Sequence, residues 1–163
     1  MKNLSITQKK WWLTAHILFS AIWFGVTVTF LILSISVLTT NDSQVIKAYY
    51  TSMLQMEQTA GRASLIGTVI TGLILSIFTK WGLFKFYWII TKEILTFICL
   101  VLGFFFIYYW TLNGIHLSEE SIGDHFMANH YQLMIWIIIQ VILLAIIFIV
   151  SVFKPWGKRI KRQ

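Results

Sequence analysis

The chain has one cysteine, one proline and six acidic residues among 163, and each scarcity excludes something. The lone thiol, Cys99, allows no disulfide within the chain and no Cys-x-x-Cys-His attachment of a haem. The lone proline, Pro155, rules out a Pro-rich linker. No repeat or low-complexity tract divides the sequence, so one integral domain over 1–163 is expected. Charged residues make up 12% of the total, against about 25% in an ordinary soluble domain. No phosphate loop, nucleophile triad, zinc-protease motif or dinucleotide fingerprint occurs, so no enzyme class is assigned.

What is abundant is apolar. Thirteen Lys and Arg give a net charge of +7, which alone would suit a nucleic-acid partner, but the charges flank long hydrophobic runs and exclude that partner. From Trp11 to Asn41, 31 residues carry no charge, more than the roughly 20 that cross a bilayer. This run is too long for a secretory signal and lacks a small-x-small exit, so an uncleaved first span is expected. Four spans are predicted near 12–38, 63–79, 86–110 and 131–153. They do not alternate in polarity as barrel strands do, which makes the fold an all-α four-transmembrane-helix bundle.

The basic residues set the expected orientation. Lys2, Lys9, Lys10, Lys80, Lys85, Lys154, Lys158, Arg159, Lys161 and Arg162 fall on one side, against Lys47 and Arg62 on the other. That asymmetry places both termini in the cytoplasm of a multi-pass protein of a cytoplasmic membrane. Trp11, Trp12, Trp81, Tyr87, Trp88 and Trp156 would form the inner aromatic belt, and Tyr49, Tyr50, Tyr108, Tyr109, Trp110 and Tyr131 the outer one. In the first outer connection, 39–61, Val45, Ile46, Tyr49, Tyr50, Met53 and Leu54 recur at helical spacing behind Asp42 and Ser43. A short amphipathic outer helix is expected there, capping the bundle or prolonging the first span and ending at Gly61.

Polar residues within the spans are the functional candidates. Ser64, Thr68, Gly72 and Ser76 recur every fourth residue, a pattern that lets helices approach closely or lines a solute path. Gln132, Trp136 and Gln140 carry a polar face toward mid-membrane. Ionisable groups are costlier: His16, Lys92 and Glu93 all lie a turn or two inside the same leaflet and could meet, although Lys92 and Glu93 project about 100° apart on a helix, so at most one points straight at His16. They serve either as a hydrogen-bonded histidine beside a snorkelling lysine, or as a site for an anionic or metallated ligand. Outside the spans, His125 and His130, with Asp124, Met127 and His116, offer ligands for copper or zinc, although residues five apart diverge by about 140° on a helix.

The stretch Ala15-His16-Ile17-Leu18-Phe19-Ser20-Ala21-Ile22-Trp23-Phe24-Gly25 resembles the first-span motif, His followed seven residues later by Trp-[FL]-Gly, of a bacterial membrane superfamily. That superfamily includes CopD-type copper-resistance domains, HemJ-type protoporphyrinogen oxidases and uncharacterised four-span proteins. Thr71-Gly72-Leu73, Thr79-Lys80-Trp81-Gly82-Leu83 and Trp88-Ile89-Ile90-Thr91-Lys92 are similar to the second-span end, inner loop and third-span start of the uncharacterised members. The resemblance covers about two thirds of the chain. It implies a haem b or porphyrin near the cytoplasmic leaflet, with His16 as the iron ligand and Lys92 as a functional lysine. Glu93 and Trp23 would stand beside it, Trp23 against the macrocycle. After Trp23-Phe24-Gly25, however, the chain lacks the Arg and His that the oxidases carry at the far end of span one. That departure removes support for protoporphyrinogen oxidation. The alternative is a small copper or solute transporter or sensor, or an accessory subunit of a membrane complex, with a homo-oligomer or a membrane partner admitted in either case.

Overall fold

The computed structural model describes residues 4–79, 82–120 and 123–157 and is all-helical. Lys2, Lys80, Trp81, Lys158, Arg159, Lys161 and Arg162, used above for orientation, lie outside the described residues. Helix α1 (Ile6–Val37) opens on Ser5. The Ser5 hydroxyl accepts from the Gln8 amide while the Gln8 side chain accepts from the Ser5 amide, so two orphan donors are satisfied together. Helix α2 (Ser43–Met56) opens on Asp42, whose carboxylate accepts from the amides of Gln44 and Val45. A π turn (Glu57–Gly61) then joins it without a break to α3 (Arg62–Ile77). In the same way α4 (Tyr87–Val101) passes through a π turn (Leu102–Ile107) into α5 (Tyr108–Glu120). The last helix, α6 (Asp124–Phe153), ends where Lys154 turns left-handed just before Pro155.

Among the described residues four long helices result, Ile6–Val37, Ser43–Ile77, Tyr87–Glu119 and Asp124–Phe153, each long and apolar enough to cross a membrane. Their short connections make sequence neighbours antiparallel. Both described chain ends and the 78–86 connection therefore lie at one end of the bundle, here called the terminal end, opposite the distal end. The Leu4 amide donating to the Phe78 carbonyl ties the terminal end together.

These helices outrun the apolar runs that mark them. Thirty or more residues at roughly 1.5 Å each reach about 45–50 Å, against a hydrocarbon core of about 30 Å. The short helix expected within 39–61, capping the bundle or prolonging the first span, is instead the beginning of the second long helix. Gly61 does not end it, because the backbone passes through a π turn there. Likewise, of the interval 111–130 between the third and fourth expected spans, residues 111–120 and 124–130 are helical. The physical reason is a shared core that continues distally, in which Ile46, Tyr50, Met53, Ile107, Phe126, Leu133 and Ile137 are buried together with Phe30 and Val37. Toward the terminal end the core thins to Trp23, Leu65, Cys99 and Leu144, then to Trp88, Ile89 and Val150.

Candidate functional site

Around the bundle each long helix touches two neighbours, with one exception along its length. Distally α2 packs closely on α5, but beyond the two π turns their continuations α3 and α4 barely touch. The second and third long helices thus fork toward the terminal end. A π turn widens the helical winding and is often found at functional sites. Here two of them sit where the fork begins.

His16 stands inside the terminal half, held from α3. Its Nδ1 lies 3.1 Å from the Thr68 carbonyl oxygen and 2.9 Å from Thr71 Oγ1. A carbonyl only accepts, so Nδ1 carries the proton, and in the neutral ring Nε2 keeps a lone pair. The Thr71 hydroxyl donates its own proton to the Gly67 carbonyl at 2.6 Å, leaving its oxygen to accept from Nδ1. Gly72 is part of this fit: a Cβ there would stand 3.2 Å from His16 Cε1. Nothing in the first-span motif announces Thr68 and Thr71 as partners of His16. The four-residue stripe does mark the face of α3 that receives it.

Across the fork, α4 supplies Lys92 and Glu93. Lys92 is near enough to His16 to act on it electrostatically, and Glu93 stands close to Ser76 of α3. One carboxylate oxygen of Glu93, Oε1, is sealed from solvent without a hydrogen-bond partner. His16, Lys92 and Glu93 therefore share one end of the bundle. Trp23 does not join them: seven residues along α1, roughly 10 Å by the helix rise, it is buried with Leu65, Cys99 and Leu144.

At the root of the fork lies a chamber of about 40 Å³, lined among others by Trp23, Thr27, Gly61, Gly103 and Gln140. That is room for a water molecule. The Gln140 amide oxygen is buried there without a partner. On the chamber wall the Arg62 guanidinium donates from Nε to both Glu57 oxygens, at 3.0 and 3.2 Å, and lies over the Phe104 and Tyr108 rings. Sequence reasoning misses this pair. Its signal is the spacing: charges five apart do not face each other on an α-helix, but a π turn brings them onto one side.

The distal histidines behave differently. His130 is fully buried, with Nδ1 2.8 Å from the Tyr50 hydroxyl and its ring stacked on Phe126. Its Nε2 lies near the Ser34 backbone but outside hydrogen-bonding geometry. Asn129 extends the network, meeting the Tyr50 hydroxyl, donating to the Trp110 carbonyl and accepting from Asn113. His125 is exposed at the start of α6. Among the described residues no three His, Cys, Asp or Glu side chains come together as a metal site. Comparison with known proteins finds no matching family model, no matching curated protein and no matching solved structure.

Proposed function

We propose that this is a multi-pass protein of a bacterial cytoplasmic membrane that binds haem b or a related porphyrin in the fork between α3 and α4, near the cytoplasmic leaflet. The observation that carries it is the clamp on His16 Nδ1. An imidazole whose Nδ1–H is fixed by a carbonyl and a hydroxyl is oriented, and made more basic, at Nε2, the arrangement found behind metal-ligating histidines. Lys92 would neutralise a propionate, as a compact cation does, and Glu93 would hold the fork through Ser76. When bound, haem would supply a redox-active iron. Trp23 would close the floor of the site from the layer below and make no contact with the iron. The copper alternative, with His125 and His130 as ligands, has no comparable support: among the described residues no three ligand side chains come together, and His125 is exposed at the start of α6 while His130 is fully buried. The test is the absorption of the detergent-purified protein, with and without added haem. A Soret band supports the proposal, and its absence after haem titration overturns it.

Lys92 gives a second readout. A lysine inside a span costs about 2.5–3.5 kcal/mol at the bilayer centre and less toward an interface, so one that only snorkels should be dispensable. Lys92→Met is expected to keep the fold but weaken haem retention, while Lys92→Arg, which keeps the charge, should lose less. Lys85, exposed near the start of α4, is the control. Unchanged haem retention in Lys92→Met would reduce Lys92 to an interface anchor.

The same proposal puts the terminal end in the cytoplasm and makes residues 43–56 an amphipathic outer segment whose buried side, Ile46, Tyr50 and Met53, meets the distal core. Reporter fusions at Asn41 and Gly123 should read external and one at Gly82 internal. A cytoplasmic signal at Asn41 would reverse the orientation.

A further inference from the structure

A second site lies on the opposite half of the molecule, along the seam between α5 and α6. An open cavity of about 420 Å³ runs there, with Trp110, Asn113 and Leu117 on one wall and His125, Asn129 and Gln132 on the other. Ala128, small and exposed, also lines it. Two properties define what it can hold. First, among the described residues no Lys, Arg, Asp or Glu lines it, so a charged ligand would find no counter-charge in that lining. Second, its polar groups are amides and an imidazole; Asn113 and Asn129 bind each other, and Asn129 the Trp110 carbonyl, which leaves the exposed Gln132 and His125 side chains, each able to donate and to accept, to meet a ligand. Hydroxyl groups, which also do both, are the matching ligand chemistry.

The seam also continues toward the membrane. One turn below Trp110 and Gln132, Phe106 and Trp136 from the same two helices stack with ring centroids 4.5 Å apart. Beside them Phe105 is 67% exposed and Tyr109 57% exposed. Counting about 20 residues from Phe86 puts the distal limit of the hydrocarbon near residue 106. The aromatic part of the seam therefore lies at acyl-chain depth, and the amide part at headgroup depth. Aromatic residues with one polar end favour this boundary.

We propose that the α5–α6 seam is a binding site for a lipid with an uncharged, polyhydroxylated headgroup, such as a glycosyl diacylglycerol. The headgroup occupies the Asn113–Gln132 cavity and the chains lie along Phe106 and Trp136. This site is independent of His16 and stands or falls separately from haem binding.

Native mass spectrometry of the full chain, in a detergent without a sugar headgroup, tests it with three lipids: a diglycosyl diacylglycerol, phosphatidylglycerol and phosphatidylcholine. Free maltose is the fourth probe. The glycolipid is expected to bind at least about tenfold more tightly than either phospholipid, the size of one or two hydrogen bonds. Maltose without chains should not bind measurably. Ala128→Phe, at an exposed position, should fill the seam and abolish the preference, and Gln132→Leu should reduce it several-fold, both with unchanged melting temperature. Equal binding of all three lipids, a preference for phosphatidylglycerol, binding of maltose as tight as the glycolipid, or an unaffected Ala128→Phe would each overturn the proposal.

Discussion

At the proposed haem site, His16→Ala is expected to abolish binding outright, the Soret band falling to background in a protein that still folds. The expectation follows from what the ring does in the fork. Its Nδ1 is held by the Thr68 carbonyl and Thr71 hydroxyl, so Nε2 is the only nitrogen left to bind iron. No second imidazole can substitute, since His125 and His130 belong to the distal half and His116 to α5. Added imidazole should restore part of the band by entering the space left by the ring, a rescue that loss of structure would not give. Thr71→Val should have an intermediate effect. Outer-shell partners of a metal ligand are worth about 10–100-fold in affinity, and here the Thr68 carbonyl remains to hold Nδ1, so a loss near the lower bound is expected. Full haem retention in a folded His16→Ala protein would remove His16 from the site.

The contrast between these residues and the rest of the bundle explains what the amino-acid pattern reveals. Uninterrupted apolar runs are a one-dimensional signal, and they locate all four long helices. Where helices continue past the runs, the signal weakens, because α2 and α5 bury only one stripe, such as Ile46, Tyr50 and Met53. That His16, Lys92 and Glu93 share one end of the bundle is readable from their spacing to the flanking aromatic and basic residues. Their partners are not, since Thr68 meets His16 through a backbone oxygen, which any residue possesses. The π turns are least legible. Nothing in Leu102–Ile107 marks one locally, and in Glu57–Gly61 only the five-residue interval from Glu57 to Arg62 gives a trace.

The largest stability effect is expected at a glycine rather than at a polar residue. Gly114 on α5 is buried, and a Cβ there would overlap the Tyr50 ring from α2. Tyr50 cannot withdraw: it has no exposed surface, its hydroxyl is 2.8 Å from His130 Nδ1, and Phe126 meets its ring edge-on at 5.9 Å. Alanine improves helix propensity by about 1 kcal/mol over glycine, while overpacking a filled core costs about 1–3 kcal/mol and occasionally more. With ring and hydroxyl both fixed, the upper part of that range applies, and Gly114→Ala should melt well below the parent protein. Two other glycines calibrate the result. At Gly25 a Cβ would meet nothing within 4 Å, so Gly25→Ala should be neutral or stabilising. At Gly67 the obstacle is the Phe19 ring, which is only half-buried where Tyr50 is fully buried, so Gly67→Ala should fall between the two. The decisive measurement is a double-mutant cycle. Tyr50→Ala alone should be strongly destabilising, but adding Gly114→Ala in that background should cost little, because the ring it collides with is gone. Additive losses would mean that Gly114 is required for something other than the approach of Tyr50, and the distal network would no longer account for the packing of α2 on α5.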